Sequence, residues 1–175
     1  AISRVVAACF ATDSTLIHNP YDARIFSAGP ARDERSFDLI FLGRLVSEKG
    51  LDLLLEAVAT LGRRDLFPNL TIVGSGPELF AIQQLAATLG LDRQVTFTGA
   101  KRGPELAALL RRHKILVVPS RYDEPFGVVA LEGIASGCVV AGSRGGGLPE
   151  AIGPCGLTFE NGDANALAEA LESLL

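Results

Sequence analysis

The sequence predicts an α/β domain built on a doubly wound parallel sheet, and three observations carry that expectation. From Phe37 onward, short β-branched apolar runs alternate strictly with longer runs carrying leucine and alanine at helical spacing. The strand-like runs are continuous rather than alternating, as ILVVPS (Ile115 to Ser120) is, which marks strands covered on both faces. Glycine or proline punctuates nearly every junction, and short turns between β and α segments lead to parallel strands with right-handed crossovers. With 175 residues and 48% hydrophobic content, the chain fits one domain with a sizeable core.

Residues 1–36 are the least regular. AISRVVAACF and STLIHNP are β-branched runs parted by a turn, and PYDARIFSAGPARDERS reads as a linker rich in proline, glycine and charge. Residues 1–13 are expected to be a hinge or the tail of a preceding domain, with the domain proper over 14–175. FDLIFLG (Phe37 to Gly43) is the first regular strand. SEKGLDLLLEAVATLG (Ser47 to Gly62) is a helix, with leucines on an i, i+3, i+4 stripe and Gly62 as its stop. NLTIVGSG is the next strand, and PELFAIQQLAATLG the next helix, with Pro77 at its start and Gly90 past its end. VTFTG is a strand, GPELAALLRRHK (Gly103 to Lys114) a helix, ILVVPS a strand, FGVVALEGIASG (Phe126 to Gly137) a helix and CVVAGS a strand. LPEAIG gives a short helix, CGLTFE a strand, and DANALAEALESLL a last helix capped by Asp163.

Composition excludes several function classes. A net charge of −4 and a pI near 5.2, with no broad basic stripe, argue against a nucleic-acid partner. RRDL and LLRRHK are short basic clusters expected at solvated helix ends. Cys9, Cys138 and Cys155 show neither metal nor CxxC spacing, so small buried thiols in a reducing, cytoplasmic setting are expected. No signal peptide and no membrane-length apolar run is recognised in the sequence.

In sheets of this kind ligands sit at the carboxyl ends of the strands, near the switch in strand order. The distinctive residues gather there. Gly43-Arg44 and Lys49 follow the first strand, Gly74-Ser75-Gly76 the second, Gly99 the third, Pro119-Ser120 to Gly127 the fourth, and Gly145-Gly146-Gly147 the fifth. The richest stretch is YDEPFGVVALEGIASG (Tyr122 to Gly137), where Pro125 suits the first turn of a helix starting near Phe126. Such a start leaves the backbone N–H groups of Phe126, Gly127, Val128 and Val129 for an anion, each contact contributing roughly 0.3–1 kcal/mol. Gly127 lets a ligand approach the backbone closely. Glu132 is costly to ionise in so apolar a helix unless donors such as a ribose or sugar diol meet it. Arg44 and Lys49 are two cations on one loop, suited to a diphosphate.

Each of these residues also has an ordinary role to weigh. A lone glutamate commonly lies on a solvated helix face, and Ser47-Glu48-Lys49 also fits a capped helix start. GSGP (Gly74 to Pro77) lacks the G-x-G-x-x-G spacing of a dinucleotide site and the Lys-Ser/Thr of a P-loop, so NAD binding and ATP hydrolysis are not expected. His18 and His113 are assigned structural or solvent roles, and Asp123 a turn role.

Glu124 to Glu132 resembles the E-x7-E motif of retaining GT-B glycosyltransferases of the family 4 type, the glycosyl transferases group 1. FLGRLVSEKG (Phe41 to Gly50), IVGSGP, VTFTG and GGGLPEAI (Gly145 to Ile152) agree with that family in order and spacing over nearly the whole chain. Asn19-Pro20-Tyr21-Asp22 departs from the N-G-V-D commoner after the hinge. The resemblance implies the Rossmann-like, donor-binding half of a two-domain GT-B enzyme, moving a sugar from a nucleotide diphosphate sugar to an acceptor hydroxyl. It further implies front-face transfer with no cofactor and no dedicated metal. Arg44 and Lys49 would stabilise the diphosphate and Glu124 the donor sugar hydroxyls, the three catalytic positions. Glu132 would hold the ribose, and Gly43, Gly74, Gly99, Ser120 and residues 126–129 would meet the nucleotide sugar, with the base near Gly99 to Glu105. The implied partners are the donor and an acceptor-binding domain of the full-length chain. That domain and the C-terminal crossing helix are expected to be absent here, and any attachment to an inner membrane would come from the absent domain. A non-catalytic nucleotide-binding module and a GT-B-like epimerase are the alternatives.

Overall fold

The computed structural model describes residues 1–175. Strands β1 (Phe37–Leu42), β2 (Leu70–Val73), β3 (Val95–Gly99), β4 (His113–Val118), β5 (Val139–Ser143) and β6 (Gly156–Phe159) form one parallel sheet in the order β3-β2-β1-β4-β5-β6. Seven helices accompany it: α1 (Arg4–Ala8), α2 (Leu51–Gly62), α3 (Leu79–Thr88), α4 (Gly103–Leu110), α5 (Val128–Ala135), α6 (Leu148–Ile152) and α7 (Ala164–Leu174). The doubly wound expectation holds. The order reverses between β1 and β4, where Phe41 lies beside Val117, and this opens a crevice at their carboxyl ends.

Two cores form because the central strands β2, β1, β4 and β5 are covered on both faces. Leu39 and Phe41 of β1 pack with Leu51, Leu54, Leu55, Val58 and Leu61 of α2 and with Leu167 and Leu171 of α7. Ile40 packs on the opposite face with Leu106 and Leu110 of α4, Ala130 of α5 and Leu148 of α6. The Asp163 side chain caps α7 by accepting from the amides of Asn165 and Ala166 at 2.9 Å each.

Several boundaries differ from expectation. The helix expected from Ser47 begins at Leu51, because Ser47–Lys49 close a 3₁₀ turn and Gly50 is left-handed at φ 64°. A Cβ at Gly50 would run into the Pro119 carbonyl, so this glycine lets the Lys49 loop lie against β4. The helix expected over Phe126–Gly137 starts at Val128 instead, after Gly127 at φ 104° and ψ 63°, a conformation no helix continues through. Pro125 therefore lies outside the helix.

His113 and Lys114 open β4 rather than ending α4. The basic cluster there is not a solvated end: Arg111 donates to the Ile25 and Ser27 carbonyls, and Lys114 pairs with Asp38 at 3.0 Å. Arg63 and Arg64 do lie exposed at the end of α2, as expected, where Arg64 forms a surface pair with Glu172. Only Cys138 is a buried thiol, pushed up to about 11 by burial; Cys9 and Cys155 are exposed.

The irregular N-terminal stretch contains the short helix α1, capped by Ser3, whose hydroxyl accepts from the Val6 amide. Arg35 is buried with no carboxylate. It donates instead to the carbonyls of His113 (2.8 Å) and Ser136 (2.9 Å), the latter just past α5, where helix C-terminal carbonyls supply the negative charge.

Candidate functional site

A cavity of about 500 Å³ opens at the switch point between β1 and β4. Its floor is Phe41, Leu42 and Val118 at the strand ends. Gly43, Arg44 and Lys49 come from the loop after β1, and Ser120, Glu124 and residues 125–129 from the loop and first turn after β4. Nine of the residues singled out in the sequence are thus brought together: Gly43, Arg44, Lys49, Ser120, Glu124, Phe126, Gly127, Val128 and Val129.

Glu124 is the electrostatic centre. It is 7% exposed and its two oxygens meet three donors. Lys49 Nζ donates to Oε1 at 2.7 Å, Ser120 Oγ to Oε1 at 2.6 Å, and Tyr122 OH to Oε2 at 2.5 Å. Burial disfavours the carboxylate, but the bonds from Lys49, Ser120 and Tyr122 outweigh it and hold its pKa below the usual glutamate range. Burial likewise works against the Lys49 ammonium, and its bonds to Glu124 and Tyr122 prevail and raise its pKa. Two residues proposed to meet different parts of one ligand are here paired with each other. The acidic loop is held from below by the glycine run after β5: the Gly147 amide donates to the Glu124 carbonyl at 2.6 Å.

The start of α5 supplies the complementary feature. The amides of Phe126, Gly127, Val128 and Val129 donate to no acceptor in the turn before them, since Gly127 interrupts the helix. Phe126 itself turns its ring into the core, 2% exposed, and stacks on His18 at 5.1 Å.

Three expected residues lie off the main cavity. Gly74 borders a side recess of about 170 Å³ that shares Gly43 and Arg44 and is completed by Ser75, Ala100, Lys101 and Arg102. Gly99 lines neither; its carbonyl accepts from the Gly74 amide at 3.0 Å. Glu132 sits one turn beyond Val128 on α5, half-buried, with no hydrogen-bond donor for its carboxylate in the chain, and burial raises its pKa.

The sequence did not reveal Tyr122, Asn19 or Ile2 as site residues. Asn19 and Ile2 line the cavity because Ser3 Oγ donates to the Pro125 carbonyl at 2.7 Å, while Glu150 accepts from His18 Nε2 at 2.7 Å and from the Arg4 amide at 2.9 Å. These contacts span more than a hundred residues of chain and leave no local pattern. His113 is structural as expected. Its ring contacts the Leu109 carbonyl and Thr71 Oγ1 at 2.7 Å each, and burial lowers its pKa.

Fold and site together define a doubly wound domain whose switch-point crevice is lined by two cations, one buried carboxylate and the free amides at the start of α5. A family model described as Glycosyl transferases group 1 matches residues 22–175, and the chain belongs to that family. The D-inositol 3-phosphate glycosyltransferase of Corynebacterium efficiens is 39% identical over 145 residues, covering 77% of this chain and 34% of that protein. The glycogen synthase of Mycobacterium tuberculosis is 37% identical over 158 residues, covering 89% and 36%. The chain therefore spans about a third of the length of the curated relatives it matches. The solved C-terminal domain of the group 1 glycosyl transferase LpcC from Francisella tularensis superposes with a TM-score of 0.76 at 25% identity, covering 89% of this chain and 87% of that one. Anabaena HepE, solved with UDP-glucose, shares the fold at a TM-score of 0.77 and 23% identity over 91% of this chain and 47% of that one. No helix is long and apolar enough to cross a membrane.

Proposed function

We propose that this chain is the donor-binding domain of a retaining glycosyltransferase, and that its crevice holds a nucleotide diphosphate sugar. The observation that carries this is one cavity shared by two cations, a run of unpaired amides and a buried, ionised glutamate. That set suits a diphosphate joined to a polyhydroxylated sugar. Arg44, Lys49 and the amides of residues 126–129 hold the diphosphate and stabilise the charge that grows on it as the glycosidic bond breaks. Glu124 accepts from the sugar hydroxyls, Glu132 from the ribose, and the recess at Gly74 to Arg102 takes the base.

Transfer also needs an acceptor hydroxyl held against the anomeric carbon, and such positioning contributes roughly 7–11 kcal/mol. A cavity open on one side provides the donor half of that arrangement, so we assign the other half to an acceptor-binding domain of the full-length protein. Residues 1–175 alone should bind donor and at most hydrolyse it slowly. The two curated relatives above carry names with different acceptors, in keeping with an acceptor chosen outside this domain.

Calorimetry of UDP, GDP and ADP against their nucleosides tests this directly. The Arg44 side chain makes no hydrogen bond or ion pair within the chain, its backbone carbonyl alone accepting from the Val46 amide at 3.1 Å, so Arg44→Ala leaves the fold intact. It is expected to weaken binding of the preferred diphosphate by about tenfold, the loss of one charge-assisted contact. The salt dependence should become shallower, and nucleoside binding should stay unchanged. Equal losses for both ligand types would refute the clamp; no binding of any diphosphate by the native chain would refute the donor site.

A further inference from the structure

The pairing of Lys49 with Glu124 raises a physical question for the donor site. A diphosphate that draws the Lys49 ammonium to itself would strip a buried carboxylate of its countercharge, which is strongly unfavourable unless other donors remain. Tyr122 stands where such a donor is needed. Its hydroxyl accepts from Lys49 Nζ at 2.8 Å and donates to Glu124 Oε2 at 2.5 Å, so the three side chains close a ring of hydrogen bonds. Ser120 serves only the other oxygen, Oε1. The Lys49 ammonium also lies 4.8 Å from the centre of the Tyr122 ring. Lys49 also lines a second cavity of about 340 Å³, together with Arg44, Val46, Glu48 and Tyr122, so open space adjoins its side chain.

We propose that Tyr122 is a positioning residue of the donor site, holding Glu124 ionised and oriented toward the sugar while Lys49 is handed over to the diphosphate. This rests on the donor-site function proposed above. An ammonium has three protons; two are engaged by Glu124 and Tyr122, and the third is available to a phosphate oxygen. Once the lysine turns to the phosphate, Oε1 keeps Ser120 and Oε2 keeps Tyr122, so neither oxygen of the buried carboxylate is left without a donor. The tyrosine remains protonated throughout. Burial and its bond to Glu124 both raise its pKa, so it stays a donor across the working range. No proton or covalent bond is exchanged; only hydrogen-bond partners change.

Tyr122→Phe removes the one hydroxyl and keeps the ring beneath the ammonium. Calorimetry with UDP, GDP, ADP and their nucleosides should show about a tenfold loss for the preferred diphosphate, the loss of a hydrogen bond to a charged group, and no change for its nucleoside. Combined with Glu124→Gln, the two losses should be strongly sub-additive, because a neutral amide no longer needs the phenol. Carboxyl carbon NMR should place the Glu124 titration at higher pH in Tyr122→Phe than in the native chain. The charged group facing it, Lys49, is unaltered. Native diphosphate affinity in Tyr122→Phe, equal losses for diphosphate and nucleoside, additive double-mutant losses, or an unmoved Glu124 titration would each overturn the proposal while leaving the donor site standing. Failure of the native chain to bind any diphosphate would overturn both.

Discussion

Lys49→Ala is expected to lower diphosphate affinity by roughly a hundredfold, on the scale of about 3 kcal/mol for an ammonium bonded to phosphate oxygens. The same substitution leaves Glu124 buried without a countercharge. Removing one partner of a fully buried pair costs about 3–5 kcal/mol. The Lys49 side chain keeps a quarter of its surface in solvent, so the expected destabilisation is about 2 kcal/mol near neutral pH. The two effects separate in Lys49→Ala/Glu124→Gln, which should regain stability without regaining affinity.

The pH dependence carries a sign that denaturation can check. Glu124 has a depressed pKa in the folded state, so its contribution is complete above the ordinary glutamate range and is lost as pH falls through the depressed value. Lys49 has a raised one, so its contribution is complete below the ordinary lysine range and is lost as pH rises through the raised value. The stability gap between native and Lys49→Ala proteins should therefore be widest at neutral pH and close toward both extremes. A gap that does not vary with pH would mean that the substitution acts through packing alone.

Glu132→Gln is expected to weaken binding of every nucleotide and nucleoside alike by about tenfold or more, since a ribose hydroxyl loses a charged acceptor worth about 1.5–3 kcal/mol. Stability should move the other way. Burial raises the Glu132 pKa and no donor in the chain offsets it. Its favourable contribution is present at low pH and is lost as pH rises through the raised value, because ionising the half-buried carboxylate gains no partner in the chain. Glutamine removes that charge and should leave the melting temperature equal or higher near pH 7, with the difference vanishing on acidification. Native nucleotide binding should also weaken as pH falls through the Glu132 pKa, a step absent from the variant. A variant with unchanged affinity would refute the ribose assignment, and one that is clearly less stable would show that Glu132 is satisfied by the fold.

The layered architecture was readable along the chain because its determinants are local. Continuous runs such as Ile115 to Val118 require cover on both faces, the leucine stripe of α2 requires one buried side, and Gly62 and Asp163 mark where helices stop and start. The same holds for the gathering of Gly43, Arg44, Lys49, Glu124 and Gly127 at one sheet edge: in a parallel β–α alternation every loop after a strand emerges at the same end. Helix starts were less readable, because Gly50 and Gly127 take left-handed conformations that follow from the approach of Pro119 and the turn of the acidic loop.

The chain's local patterns, then, carried the fold class, the family resemblance and nine of the residues that line one cavity. How those residues engage one another came from long-range packing. It paired Lys49 with Glu124, brought in Tyr122 through a hydroxyl that no spacing rule singles out, left Glu132 without a partner, and folded residues 2–19 back over the loop by Ser3, His18 and Glu150. The physical reason is range. Periodicity, capping and turn preference act over a few residues, whereas hydrogen-bond partners 73, 75, 122 and 132 positions apart are chosen only once the sheet has brought their loops together.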